Sequence, residues 1–265
     1  MPLLQTSDTL VDYLVTGSGE PVTVFAHGLA GAIDETRPFG SGVRGTRVFL
    51  HFRGHGASSA PETPWTYEAV AAELLAVADH VGATRALGVS LGAGSMLRAA
   101  TGLPDRFERL VLVLPATIDR PRRDAAVARM QQLAAHVEAG DVEAVSRLLL
   151  LEQPQGARDR ADVAVWSRRQ ARRLMQTSVA RGLRELPLQY PIDDRAKLGA
   201  VRSHSLVIGQ RGDDAHPAST AEELADALPN SRLAMFDAGG VLWTHRRELR
   251  SLIGGFLNAD DGGRD

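Results

Sequence analysis

Gly88-Val89-Ser90-Leu91-Gly92 constrains this chain more than any other stretch. An apolar run, Thr84 to Val89, leads into it, and the small residues Ala93, Gly94 and Ser95 follow. Gly-x-Ser-x-Gly between a strand and a helix demands a sharp turn. That turn strains the serine backbone and lifts its hydroxyl at the carboxyl edge of a sheet. The two glycines let the backbone pass close to its neighbours. The small residues after them let the helix lie tight on the sheet.

The surrounding pattern agrees with that turn. Leu10 to Val15, Val22 to Ala26, Thr46 to Phe52, Leu110 to Leu114, Ser205 to Ile208 and Arg232 to Phe236 read as strands. They are continuous apolar runs rather than alternating ones, as strands covered on both faces are. Tyr67 to Val81 carries Val70, Leu74, Leu75 and Ala78 at helical spacing. Ser219 to Glu223 offers overlapping capping boxes for a helix through Leu228, and Leu242 to Phe256 reads as the last helix. This β-loop-α alternation predicts an α/β protein with a mostly parallel, doubly wound sheet.

From Asp119 to about Pro187 the strand signal stops. Val127, Met130, Leu133 and Val137 mark one amphipathic helix ended by Gly140, and Asp141 is placed to cap a second. A third, rich in arginine, runs near Val163 to Met175. The predicted organisation is a core of residues 1–117 and 190–259, an inserted helical cap at 118–189, and a disordered tail at 260–265.

Composition removes several function classes. The 265 residues hold no cysteine, which excludes disulfides, thiolate metal sites and a cysteine nucleophile. Thirty basic against 32 acidic residues give a net charge of −2, so nucleic acid is not expected as a partner. No apolar run is long enough for a membrane span, and Met1 to Gly17 has no signal-peptide pattern; a cytoplasmic protein is expected. The eight histidines are scattered at spacings that make no metal site, and neither metal nor cofactor is expected. The oligomeric state is open.

With these motifs in place, the chain resembles the α/β-hydrolase superfamily along nearly its whole length. Phe25-Ala26-His27-Gly28-Leu29 is similar to that family's His-Gly motif after the third strand, and Phe52 to Ser58 is similar to its Arg-Gly-x-Gly-x-Ser loop. The resemblance implies that Ser90 is the nucleophile and that the backbone N–H groups of Leu29 and Leu91 form an oxyanion hole. It implies that His27 and His55 are structural, though their rings line the pocket in one reading. It also places the acid in Val207 to Pro217, at Asp213, with Asp214 the neighbouring alternative.

The family's histidine follows the last strand. Here that stretch reads Asp237-Ala238-Gly239-Gly240-Val241-Leu242-Trp243-Thr244-His245, so Val241 stands where the histidine is expected. His245 lies four residues on, one helical turn away, and reads either as a packed histidine or as a displaced base. His216, beside the acid, is expected to be exposed. Asp213 without a partner reads either as a relic or as a base in its own right.

A valine there points to an atypical, histidine-deficient group of α/β-hydrolase-fold proteins, similar to the peptide epimerase of bottromycin biosynthesis. That resemblance implies non-hydrolytic proton transfer, such as epimerisation, on a small-molecule or modified-peptide substrate bearing a carbonyl. Hydrolysis by Ser90, Asp213 and His245 is the alternative, and a non-catalytic binding protein is the third reading. Phe39, Trp65 and Trp243 are candidates to line the pocket. Met130 and Trp166 in the cap join them, with helix packing as the competing explanation.

Overall fold

The computed structural model describes residues 1–122 and 125–259. Eight strands form one sheet: β1 (Leu3–Gln5), β2 (Leu10–Thr16), β3 (Val22–Ala26), β4 (Thr46–Leu50), β5 (Arg85–Val89), β6 (Arg109–Val113), β7 (His204–Gln210) and β8 (Ser231–Phe236). Their spatial order is β1-β2-β4-β3-β5-β6-β7-β8. β1 and β2 pair antiparallel, and every pair from β4 to β8 is parallel. The expected strands are all present. β1, three residues at the sheet edge, is an addition that so short a run does not announce.

The helices are α1 (Ile33–Thr36), α2 (Tyr67–His80), α3 (Leu91–Gly102), α4 (Ala125–Glu138), α5 (Val142–Leu151), α6 (Gln155–Arg158), α7 (Ala161–Leu174), α8 (Ala180–Glu185), α9 (Ala218–Ala227) and α10 (Arg246–Leu257). Helices α4 to α8 lie between β6 and β7 and cover the sheet's carboxyl edge. Thr66 caps α2 through Ala69 N–H at 3.1 Å, and Asp141 caps α5 through Ala144 N–H at 2.9 Å. Two helix starts differ from expectation. α9 begins at Ala218 behind Pro217 with no side-chain cap, so Ser219 and Thr220 lie inside its first turn. α10 begins at Arg246 rather than Leu242, because Gly239 and Gly240 take positive φ and the Trp243 and Thr244 N–H groups turn back to Gly240 O at 2.8 Å. The tail at 260–265 lies outside the described residues.

The centre of the sheet positions the site through close backbone approach. Ser90 sits at φ 49°, ψ −104° between β5 and α3, with its N–H donating to Val113 O at 2.9 Å. A Cβ at Gly88 would stand 2.3 Å from the Gly92 backbone, and one at Gly92 would stand 2.4 Å from Ala26 O. Glycine at both places is therefore what allows the turn.

Three buried histidines hold the loop after β3. His55 Nε2 accepts from Ala30 N–H at 3.1 Å, and His51 Nε2 accepts from Ile33 N–H at 3.1 Å. His51 Nδ1 donates to Asp12 at 2.6 Å, and His55 Nδ1 to Arg53 O at 2.9 Å. His27 bridges from Gly28 O, 2.7 Å away, to Phe52 N–H at 3.2 Å. Each ring donates from Nδ1 and accepts at Nε2, which a neutral imidazole does and an imidazolium does not. Burial drives His27 well below the usual histidine range and His55 down to about 4, against the pull of its carbonyl contacts.

The cap is fastened to this same loop. Gln170 donates to Ala30 O, Trp166 Nε1 donates to Glu35 Oε1 at 3.3 Å, and Arg173 pairs with Asp34 at 3.1 Å. Trp65 is buried between core and cap, its ring against Gly54 and Gly182, where a Cβ would meet it at 2.2 and 2.5 Å.

Two outcomes follow. His55 binds a proton near 6.5 when unfolded and near 4 when folded, so its stabilising contribution is complete above about 6.5 and lost as pH falls toward 4. Urea midpoints across that window should fall, and fall less steeply in His55→Gln. Gly92→Ala should destabilise by about 2 kcal/mol or more, because backbone rather than a flexible side chain must move; a thermal midpoint within a degree or so of the parent contradicts this.

Candidate active site

Ser90 faces a cavity of about 540 Å³ between the sheet edge and the cap. The residue that reaches it is His216. Its Nε2 lies 3.0 Å from Ser90 Oγ, and its Nδ1 lies 3.1 Å from Asp213 Oδ2. Asp213 Oδ1 accepts the N–H groups of Ala215 and His216, each at 3.0 Å, which leaves Oδ2 for the ring. With Nδ1–H donated to the aspartate, Nε2 is the acceptor for the serine hydroxyl. Burial works against the charged form of Asp213, but the adjacent His216, its ring contact and the two backbone donors outweigh it and hold the carboxyl below its usual range.

This overturns two expectations. His216 is half-buried rather than exposed: its side chain keeps 21% of its surface, and it lines the cavity. The site is also not without a histidine. The imidazole comes from the loop after β7, three residues beyond Asp213, instead of from the loop after β8. Tying Asp213 to the N–H groups of 215 and 216 curls Asp213-Asp214-Ala215-His216 into a tight turn, which puts the ring over its own acid. The signal was in the sequence as Asp-x-x-His-Pro, where Pro217 ends the turn and α9 begins.

Val241 does fill a wall of the cavity, fully buried. Its N–H donates to Gln210 Oε1 from the end of β7, so a side-chain amide and a valine occupy this corner. Gln210 is itself fully buried, and its Nε2 has no hydrogen-bond partner. His245 lies outside the cavity. Its ring packs against Phe236 with centroids 5.3 Å apart, and its Nδ1 is 3.4 Å from Glu248, because it precedes the first turn of α10 instead of facing inward.

The other expected residues divide cleanly. His27, Leu29, Leu91, Phe39, Met130, Trp166 and Trp243 line the cavity, and Trp65 does not, being buried behind it. Trp166 and Trp243 meet edge to face with centroids 5.4 Å apart. Among the described residues, the backbone N–H groups of Leu29 and Leu91 make no backbone hydrogen bond outside the regular elements, while Gly31 N–H folds back onto Gly28 O at 2.9 Å. Asp214 points away from Ser90, toward Arg129 Nη2 at 3.2 Å.

The cap braces the loop that carries Asp213 and His216. Arg122 donates to Ala215 O and, at 3.2 Å, to Asp214 O. Arg129 joins Asp214 to Glu152, whose carboxyl burial raises despite that arginine. Across the cavity, Glu35 is raised by burial to about 7, against the nearby Arg173 and the hydrogen bond from Trp166. Among the described residues no group of histidines and carboxylates is arranged to hold a metal, and no helix is long and apolar enough to cross a membrane.

Comparison with known proteins agrees with this architecture. A pimeloyl-[acyl-carrier protein] methyl ester esterase of Nitrosomonas europaea is 30% identical over 157 residues, 56% of this chain and 60% of that protein. The chain thus matches less than two thirds of that relative's length. The enol-lactonase of Burkholderia xenovorans LB400 superposes with a TM-score of 0.80 at 21% identity, over 97% of this chain and 100% of that one. A thermophilic esterase of Thermogutta terrifontis does so at 0.78 and 18%, over 95% and 97%. The family described as alpha/beta hydrolase fold matches residues 21–241, which contain the elbow, the β3 loop and the Asp213–His216 turn together. The chain belongs to the alpha/beta hydrolase fold family.

Proposed function

We infer that the protein is a serine hydrolase of carboxylic esters or lactones, with Ser90 as nucleophile, His216 as general base and acid, and Asp213 as its orienting carboxylate. One observation carries this: His216 Nε2 stands 3.0 Å from Ser90 Oγ with Asp213 3.1 Å behind it. Those are hydrogen-bond distances for a nucleophile, its base and the group that orients the base.

The reaction runs in two halves. Ser90 Oγ attacks the substrate carbonyl as its proton passes to His216 Nε2. The carbonyl oxygen takes up negative charge facing the Leu29 and Leu91 N–H groups. The carbon–oxygen bond to the alcohol breaks, and His216 returns the proton to the leaving oxygen. Water, deprotonated by the same nitrogen, then cleaves the acyl-serine. Asp213 stabilises the imidazolium that forms each time. The names of the relatives, a methyl ester esterase, an enol-lactonase and an esterase, favour this class of bond. The apolar lining from Phe39, Met130, Leu133 and Val241 suits a small molecule with a substantial hydrocarbon part.

Epimerisation on a peptide or other carbonyl compound is the second reading. It rests on a site with no base beside Ser90. A base at 3.0 Å favours hydrolysis over it.

A fluorophosphonate probe should label the protein, and Ser90→Ala should abolish both the label and the turnover of 4-nitrophenyl esters. His216→Gln should lower kcat by about a thousandfold or more, while His245→Gln should stay within about twofold of the parent. The opposite ranking of the two histidine variants overturns the assignment. Arg129→Met loosens the brace on Asp214, and kcat should fall about tenfold with the fold intact by circular dichroism.

A further inference from the structure

The rim of the cavity on the α7 and α10 side carries three arginines, two exposed and one half-buried, that have no acidic partner among the described residues. Arg169, Arg246 and Arg250 all line it. Several other arginines have an acid beside them, as Arg106 has Asp79, Arg173 Asp34, Arg184 Glu138 and Arg195 Asp119. None of the three has a carboxylate within 4.0 Å among the described residues, and none has an interaction beyond those named here. Arg246 is felt only at a distance by Asp162, which is paired with Arg160 at 3.0 Å.

Arg246 and Arg250 are neighbours on α10, and the contact between Trp166 and Trp243 sets α7, with Arg169, alongside them. Arg250 Nε donates to Arg246 O at 3.1 Å, one turn along α10. Arg246 Nε donates to Leu242 O at 2.6 Å, and its guanidinium lies 4.7 Å over the Trp243 ring. Trp243 meets Trp166 edge to face, and Arg169 follows Trp166 by three residues on the same face of α7. Arg246 and Arg250 are thus held by Nε while their Nη groups stay unused. Among the described residues, Arg169 makes no hydrogen bond to the protein.

The acids around the same cavity do not cancel this charge. Asp34 is held by Arg173, Glu152 by Arg129, and Asp213 belongs to His216. Glu35 is tied to Trp166, and burial keeps its carboxyl partly protonated near neutrality. Three unpaired guanidinium forks on an apolar cavity recognise a carboxylate, which accepts two parallel N–H donors from one fork.

We propose that Arg169, Arg246 and Arg250 form a subsite for a carboxylate on the substrate, so that the ester or lactone cleaved at Ser90 is an anionic one. This rests on the hydrolase reading for the reaction, but the subsite is a matter of binding and is testable without it.

Two matched pairs separate the sources of the anion. 4-Nitrophenyl hydrogen glutarate against 4-nitrophenyl pentanoate places the charge on the acyl side. 4-Acetoxybenzoate against its methyl ester places it on the alcohol side. In one pair the charged member should show about tenfold higher kcat/KM, through KM, with the advantage shrinking as salt rises to about 0.5 M. Arg169→Gln, and Arg246→Lys where Gln would unseat Trp243, should lower the charged-to-uncharged ratio about fivefold or more. A preference for the uncharged member in both pairs, or a ratio unmoved by the variants, overturns the proposal. Binding gives an independent readout: glutarate or benzoate should raise the thermal midpoint of Ser90→Ala, and Arg169→Gln should remove that rise. Absent labelling of Ser90 with ligand stabilisation intact would defeat the hydrolase reading and leave the subsite standing. Labelling intact with no stabilisation by either acid would defeat the subsite alone.

Discussion

The close approach of backbone to backbone at the elbow is the constraint on which the rest depends. Ser90 holds a positive φ that a non-glycine residue adopts only under compulsion. The compulsion comes from β5 and α3 being drawn together until Gly88 meets Gly92 and Gly92 meets Ala26. The strain is offset by a fully buried centre: Val24, Phe25, Ala26, Leu87, Leu112 and Val207 have almost no exposed surface. Because β3, β5 and β6 are consecutive parallel neighbours, the elbow, the His27 loop and Leu114 all emerge at the same edge.

The second layer of support is polar and works through charge state. The loop bearing Leu29 is irregular, so its N–H groups need partners away from any sheet. His51 and His55 accept two of them, at Ile33 and Ala30, and do so only as neutral rings. Burial favours the neutral ring at His55, whose pKa it pushes down to about 4. The arrangement gives Leu29 a fixed position with its N–H uncommitted to any backbone carbonyl, which a donor aimed at a substrate requires.

Most of the fold is legible in the sequence, because buried parallel strands are short apolar runs and the elbow fixes their order. The cap helices are legible from 3.6-residue periodicity, and Asp141 from its capping position. The last helix is legible only in part: the pattern Leu242, Leu249, Leu252, Phe256 is periodic, but two glycines at positive φ insert a turn before it begins. Ser90 and Asp213 are legible because each belongs to a motif tied to an element end. His216 is not, for a physical reason. Motif reading looks for the imidazole after the last strand, whereas any loop reaching within 3 Å or so of the hydroxyl serves equally well. The Asp-x-x-His-Pro spacing carries its signal, and the two hydrogen bonds from the 215 and 216 N–H groups to Asp213 are what give that spacing its meaning. Trp65 fails as a cavity residue because Gly54 and Gly182 leave a slot that swallows its ring.

Placing His216 three residues from Asp213 changes how the site is held together. When the two come from separate loops, each loop fixes one partner. Here a single four-residue turn carries both, and the turn has little surface of its own to pack. Its rigidity has to come from outside, and the cap supplies it through Arg122 on the Ala215 and Asp214 carbonyls and Arg129 on the Asp214 side chain. The corner vacated after β8 is closed by Val241 and Gln210, which keeps it packed and leaves one buried amide group unused. The cap is therefore coupled to the site directly: the same helices that line the cavity hold the turn that keeps His216 3.0 Å from Ser90.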